Sequence, residues 1–228
     1  MIRLERVDLG AVRIEVPVAR IQGSLPGQIL LVSAGMDGDE YASIDAAYGL
    51  IEEFSQIRDL RGTIVIIPIV NIPGFEAKRD YNPLDNKYPK LIFPGNSKGT
   101  ATPRLKHWLS VNFIIKSSVW IDLHGGALGE RLSPFIYLPR TGNMTLDNRY
   151  RSLIKVLPAG KIVFDRESRW SFAQIHKSQI MHIISEAGFS ADRSGTFIDF
   201  HKRTVKSVMA FMGMIKFPQR HKAQPKTI

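Results

Sequence analysis

Residues 29–67 read ILLVSAGMDGDEYASIDAAYGLIEEFSQIRDLRGTIVII, and this stretch decides the fold. Ile29-Leu30-Leu31-Val32 is a short, wholly apolar run, the mark of a strand covered on both faces. It ends in the small residues Ser33-Ala34-Gly35. Apolar side chains then recur at helical spacing (Tyr41, Ile44, Ala47, Leu50, Ile51 and Phe54), which predicts an amphipathic helix. Thr63-Ile64-Val65-Ile66-Ile67 is a second buried strand, stopped by Pro68 and again by Pro73.

The same alternation continues on both sides. Upstream, VRIEVPVARI (12–21) alternates apolar and polar positions as a half-exposed strand does, and GSLPGQ (23–28) turns the chain. Downstream, residues 71–103 hold no helical or strand period and are rich in Pro, Asn, Asp, Gly and Lys. A segment that long without regular structure is uncommon in a compact domain unless it serves a site. A helix is expected at 105–115, a third buried strand at 118–123 leading into His124-Gly125-Gly126, and another strand at 134–138. Helices at 144–157 and 170–177, a strand at 179–185 and a closing helix at 197–215 complete the reading. Strands alternating with helices predict an α/β fold, a three-layer αβα sandwich around a mostly parallel mixed sheet. Residues 1–217 read as one domain and 218–228 as a basic C-terminal tail.

Composition narrows the function classes. With 44% hydrophobic and 23% charged residues among 228, the chain is no disordered polymer. No apolar run reaches the roughly 18 residues a membrane helix needs, and MIRLERVDLG lacks the apolar core of a signal peptide. A cytoplasmic protein without a membrane partner is expected. The absence of cysteine excludes disulfides, thiolate metal sites and a cysteine nucleophile, so any metal must be held by His, Asp or Glu. Of the net charge of +10, seven positive charges lie after Asp199, from Lys202 to Lys226, where no acidic residue follows. Such a tail is more often a frayed, solvated terminus than a binding arm, and no basic and aromatic residues interleave as a single-strand platform requires. No nucleic-acid partner is therefore expected, and a homo-oligomer stays open.

Sites in open α/β sheets form at the carboxyl ends of the strands. Gly35-Met36-Asp37-Gly38-Asp39-Glu40 follows the first buried strand, and Asn71 through Arg79 follows the second. The third leads into Asp122-Leu123-His124, and Ser185-Glu186-Ala187-Gly188 follows the strand at 179–185. Asp37 and Glu40 stand three apart at a turn entering a helix, so both carboxylates can face one side, and His124 from another strand could complete a three-ligand site. Three protein ligands with an open position describe a catalytic metal site. Pattern alone serves equally well a reading in which Asp37 and Asp39 are turn and N-cap residues, with Glu40 in the first helical turn. His176 and His182 read as structural or surface residues.

Gly-Met-Asp-Gly-Asp-Glu-Tyr resembles the G-x-H-G-x-E segment of the succinylglutamate desuccinylase/aspartoacylase family, a branch of the zinc carboxypeptidase clan. The likeness continues in order through Asn71-Ile72-Pro73-Gly74-Phe75, Arg79, Asp85, Phe93-Pro94-Gly95, Asp122-Leu123-His124 and Ser185-Glu186-Ala187-Gly188, over roughly residues 10–215. The resemblance implies a zinc carboxypeptidase-like fold and a metal-dependent hydrolase that cleaves the amide of an N-acyl amino acid or similar small substrate. It implies that Glu40 and His124 are metal ligands and that Glu186 is the catalytic glutamate, activating water and passing its proton to the leaving amine. Arg79 matches the arginine that stabilises the developing oxyanion. Asp122, two residues before His124 on the same strand face, reads either as a partner that orients a ligand or Arg79, or as a buried aspartate satisfied by backbone donors. Peptidase action on a short peptide is the near alternative. A pseudoenzyme of this fold, kept for binding, is the distant one.

Two departures from the family pattern matter. Asp37 stands where the family has its first histidine ligand, so the set becomes one imidazole and two carboxylates. These cancel the ion's charge, weaken its acidification of water, and make Mn²⁺ or another hard ion more competitive with Zn²⁺. Lys90-Leu91 stands where the family has an Asn-Arg pair that grips a substrate carboxylate. Leucine cannot make a bidentate ion pair. Lys90, the substrate-binding candidate, offers a point charge or simply a solvated side chain. Poor turnover of N-acetylaspartate and N-succinylglutamate is therefore expected. Family members commonly carry a further β-rich C-terminal domain, whereas here some dozen residues follow the closing helix.

Overall fold

The computed structural model describes residues 2–165, 175, 179–216 and 226–227. Leu30 and Val32 pack on one face of the sheet and Leu31 on the other, as a wholly apolar strand must when both faces are covered. This strand, β3 (Leu25–Ser33), runs parallel to β4 (Arg61–Ile67) on one side and β5 (Val119–His124) on the other. Outside β4 lie β2 (Arg13–Gln22) and β1 (Ile2–Asp8), both antiparallel. Outside β5 lies β8 (Met181–Phe189), parallel, then β6 (Arg131–Pro139), antiparallel to β8. β7 (Lys161–Asp165) and β9 (Lys226–Thr227) continue in parallel, giving the order β1-β2-β4-β3-β5-β8-β6-β7-β9 among the described residues.

Three helices cover one face. α1 (Tyr41–Ser55), α4 (Met144–Ile154) and α5 (Gly195–Phe211) bury Leu50 and Phe54, Tyr150 and Leu153, and Val205 and Met209 in one cluster with Leu30, Ile64, Ile121 and Ile183. The other face carries α3 (Ala101–Asn112), whose Leu105 and Leu109 pack with Leu31, Val65 and Trp120. The architecture is the expected three-layer αβα sandwich. Among the described residues no helix is long and apolar enough to cross a membrane.

Several boundaries differ from expectation. β3 begins at Leu25, inside the stretch read as a turn, and reaches Ile29 through an irregularity in its pairing with β4. β1 was not anticipated because its first residues, Ile2 and Leu4, lie exposed at the sheet edge and give no buried pattern. The 71–103 segment holds α2 (Ile72–Ala77), too short for a period, and capped by Asn71, whose side chain accepts from the Gly74 N–H at 3.1 Å. Asp85 caps α3, accepting from Thr102 N at 2.8 Å and Thr102 Oγ1 at 2.5 Å, so this helix starts four residues earlier than its apolar stripe. α5 stops at Phe211, before Gly213 with φ 68°, which ends the helix ahead of the expected boundary. The helix expected at 170–177 falls largely outside the described residues, as does most of the basic tail.

The turn after β3 depends on close backbone approach. A Cβ on Gly38 would lie 2.2 Å from the Gly74 carbonyl carbon and the Phe75 nitrogen, so only glycine lets this turn sit on α2. Gly160, by contrast, has nothing within 4 Å of its missing Cβ. Gly38→Ala should lower the unfolding free energy by about 2 kcal/mol in urea denaturation, whereas Gly160→Ala should leave it unchanged or raise it by up to about 1 kcal/mol.

Candidate metal centre

The turn between β3 and α1 is fastened on all sides. Val70 N–H donates to Ala34 O at 3.0 Å, Asn71 N–H to Gly35 O at 2.9 Å, and Gly38 N–H to Arg79 O at 2.9 Å. Asn71 Nδ2 donates to Met36 O at 3.2 Å. These bonds hold Asp37 and Glu40 at 0% and 3% exposure, pointing into the protein. The alternative role as helix caps is not what the structure shows. Glu40 occupies the N-cap position of α1 without a side-chain cap bond, and Asp39 instead accepts from Leu128 N–H at 3.1 Å.

His124 meets these carboxylates because β3, β5 and β8 run in parallel register, Ser33 beside Asp122 and His124 beside Glu186. Its Nδ1 lies 3.0 Å from Glu40 Oε2 and 3.9 Å from Asp37 Oδ2. One ligand atom from each of Asp37, Glu40 and His124 falls within 4.8 Å of the others. Asp37 Oδ1 and Glu40 Oε2 are buried without a hydrogen-bond donor, the latter despite its nearness to the ring. Unsatisfied carboxylate oxygens converging with an imidazole are the donor set that suits a divalent cation.

Behind the ring, Asp122 Oδ2 contacts His124 Nε2 at 3.1 Å, and Asp122 Oδ1 accepts from Ser33 Oγ at 2.6 Å. Trp120 Nε1–H donates to that hydroxyl at 2.6 Å. Side chains, not backbone donors, thus satisfy Asp122, and it fixes the ring with Nδ1 toward Asp37 and Glu40. Lys90 is not a solvated lysine. Its side chain is 30% exposed, and its ammonium donates to Asp37 Oδ2. Arg79 is not brought in: its side chain is exposed and lines no part of the cavity, and only its backbone carbonyl touches the turn.

Glu40, Lys90, His124 and Glu186 line a cavity of about 260 Å³. Its wall includes Trp120, on which the buried His182 ring stacks at 3.9 Å and 7°. His182 is thus buried rather than at the surface, and it faces the cavity; His176 lies outside the described residues. Sequence reasoning missed Lys106, which is 1% exposed and lines the same cavity from α3. The signal was present, since Lys106 falls at helical spacing with the inward-facing Thr102 and Leu109.

Burial raises the carboxyl pKa of Asp37 and of Glu186, reinforced by Glu40 for both and by Asp37 for Glu186, with His124 and Lys90 pulling both back. For His124 burial favours the neutral ring, but Glu40 and Asp122 outweigh it and raise its pKa. Burial lowers the Lys106 ammonium to about 8, against the pull of Asp122 and Asp37.

On the far side of β8, His201 of α5 braces the strand around Glu186. Its Nδ1 lies 2.9 Å from Ser185 Oγ and its Nε2 lies 3.2 Å from Ala187 O, which fits a neutral ring protonated on Nε2. Burial lowers its pKa from 6.5 to about 4. The unfolded chain therefore takes up this proton first, and stability falls as pH drops from 6.5 toward 4. His201→Gln should remove on the order of 2 kcal/mol of that loss, read as the difference between the two proteins' urea-unfolding free energies at pH 7 and pH 4.5.

Residues 26–212 match the catalytic domain of the succinylglutamate desuccinylase/aspartoacylase family. The N-alpha-acetyl-L-2,4-diaminobutyric acid deacetylase of Halomonas elongata is 32% identical over 126 residues, 55% of this chain and 36% of the relative. The chain thus spans about a third of the length of this curated relative. Among solved structures, a succinylglutamate desuccinylase/aspartoacylase from Rhodobacter sphaeroides superposes with a TM-score of 0.86 at 20% identity, covering 100% of this chain and 70% of that one. The product-bound ectoine utilization protein EutE (DoeB) from Ruegeria pomeroyi gives 0.82 at 20% identity, covering 95% and 67%. At that identity these structures speak for the fold, and the sequence match speaks for descent. The chain belongs to the succinylglutamate desuccinylase/aspartoacylase family.

Proposed function

We propose that this chain is a metal-dependent hydrolase of the amide bond in N-acyl amino acids or similar small molecules. The observation that carries this reading is the buried charge around the cavity. Asp37, Glu40 and Asp122 are buried and Glu186 lines the cavity, and without an ion these four carboxylates face the ammonium groups of Lys90 and Lys106 and the His124 ring, whose pKa Glu40 and Asp122 raise. A divalent cation beside a neutral His124 brings that group to neutrality, and buried charge left unbalanced is costly. Asp37, Glu40 and His124 would hold the ion. The deacetylase activity in the name of the Halomonas elongata relative and the family itself support amide hydrolysis as the chemistry.

When bound, a divalent ion supplies a positive centre that acidifies water and polarises a carbonyl. The chain's own groups do the rest. Asp122 holds His124 by Nε2, so the ring cannot turn its other nitrogen away from Asp37 and Glu40. Glu186, beside His124 in the sheet, has a raised pKa that suits a group which both takes and gives a proton near neutral pH. It takes a proton from the attacking water as the carbon–oxygen bond forms and delivers it to the amine nitrogen as the carbon–nitrogen bond breaks. Lys90 is the cation that faces this chemistry. With two carboxylates and one imidazole, zinc fits, and manganese competes better than at a site with two imidazoles.

One contact favours a second reading. Lys90 already places a positive charge on Asp37, as a binding scaffold without an ion would need. Turnover separates the two. The zinc- or manganese-loaded protein should release free amine from a panel of N-acetyl amino acids that includes N-acetyl-2,4-diaminobutyrate. Glu186→Gln should slow release by about 100-fold or more with metal content unchanged. No release from any member of the panel with either metal contradicts the hydrolase reading and leaves the scaffold.

A further inference from the structure

The loop that leads from His124 to β6 is fastened at its two ends, while its tip hangs on a single side chain. At its start Gly125 and Gly126 adopt φ 117° and 73°. A Cβ on Gly125 would lie 2.5 Å from Ala187 N, and one on Gly126 would lie 2.3 Å from the Gly188 carbonyl carbon, so the loop root sits directly on the chain that follows Glu186. Ala191 N–H donates to Gly126 O at 2.6 Å, and Ser190 N–H donates to Glu130 O at 2.8 Å, which ties both ends to the segment after β8. The tip between them is open. Leu128 is 59% exposed, and Gly129 has nothing within 4 Å of its missing Cβ. Toward the turn that carries Asp37 and Glu40 the tip makes one hydrogen bond among the described residues, from Leu128 N–H to Asp39 Oδ2 at 3.1 Å.

Asp39 is otherwise without employment. It is 4% exposed, its Oδ1 has no donor, and it is not among the three groups that converge at the candidate metal centre. A carboxylate kept out of water for one backbone N–H is a costly way to hold a loop unless the loop's place matters. The loop belongs to the cavity wall: exposed Glu130 lines the cavity from the loop, and Leu132 lines it from the strand that follows. We propose that Asp39 is a positioning residue that latches this loop as one wall of the cavity mouth, so that it sets how closely a substrate is enclosed without taking part in the chemistry. The proposal rests on the hydrolase reading for what is enclosed. Opening the latch frees only the tip. Sheet register still holds His124 beside Glu186, and the turn's own backbone bonds still hold Asp37 and Glu40.

Hydrogen exchange read by mass spectrometry on the full, metal-loaded chain tests the latch. Asp39→Ala removes the acceptor and should speed exchange over residues 127–130 by about tenfold. Asp39→Asn keeps an oxygen for the Leu128 N–H and should exchange as the wild type does. Leu128→Pro removes the donor from the exposed side, leaves the turn untouched, and should free Gly129 and Glu130 as Asp39→Ala does. Wild-type exchange in Asp39→Ala overturns the proposal, and so does an Asp39→Asn protein as loose as Asp39→Ala, since charge and not the acceptor would then matter. With an amide that the wild-type chain hydrolyses, Asp39→Ala should raise KM by about tenfold with kcat and metal content within about twofold, and Asp39→Asn should restore KM. Loss of metal, or a lowered kcat at unchanged KM, overturns it, because Asp39 would then serve the metal centre itself. If no amide is hydrolysed, the hydrolase reading fails, and the exchange of residues 127–130 alone upholds or overturns the latch.

Discussion

Charge enclosed away from water is the constraint on which this site depends. Asp37 and Glu40 are held out of solvent by the backbone bonds of the turn, with Lys90 on Asp37 and the His124 ring beside Glu40, and an oxygen of each is left without a donor. A fold tolerates such an arrangement only when something positive stands nearby. Lys90 and Lys106 supply part of that charge, and in the proposed reading a divalent ion beside a neutral His124 supplies the remainder.

Parallel register turns this local constraint into a site. Ser33 beside Asp122 and His124 beside Glu186 bring groups far apart in the chain to one rim. The second layer then limits their freedom. Trp120 and Ser33 fix Asp122, Asp122 fixes the His124 ring, and His201 braces β8 on both sides of Glu186. Gly38 is required where the turn that carries Asp37 and Glu40 meets α2, because a Cβ there would run into the backbone of Gly74 and Phe75.

Much of this was legible in the sequence, for identifiable reasons. β3, α1 and β5 are long in period and wholly or half apolar, so their burial follows from pattern. Asp37, Glu40 and His124 were legible because they stand at the carboxyl ends of β3 and β5. β1 and β7 were not, since neither presents a buried apolar run long enough to read. Lys106 was overlooked because lysine on a helix is ordinarily solvated, although its spacing with Leu109 pointed inward. Lys90 and Arg79 lie in or beside the segment without a period, where pattern cannot say which side chain turns inward. The structure brings Lys90 to Asp37 and leaves Arg79 outside.

Metal content per chain tests the central claim most directly. It is measured by plasma mass spectrometry on protein purified without chelators, beside an Asp37→Ala variant. The account predicts close to one divalent ion per wild-type chain and its loss in the variant. No ion in the wild-type chain, even after soaking in zinc or manganese, would contradict it and leave Lys90 as the cation of the site.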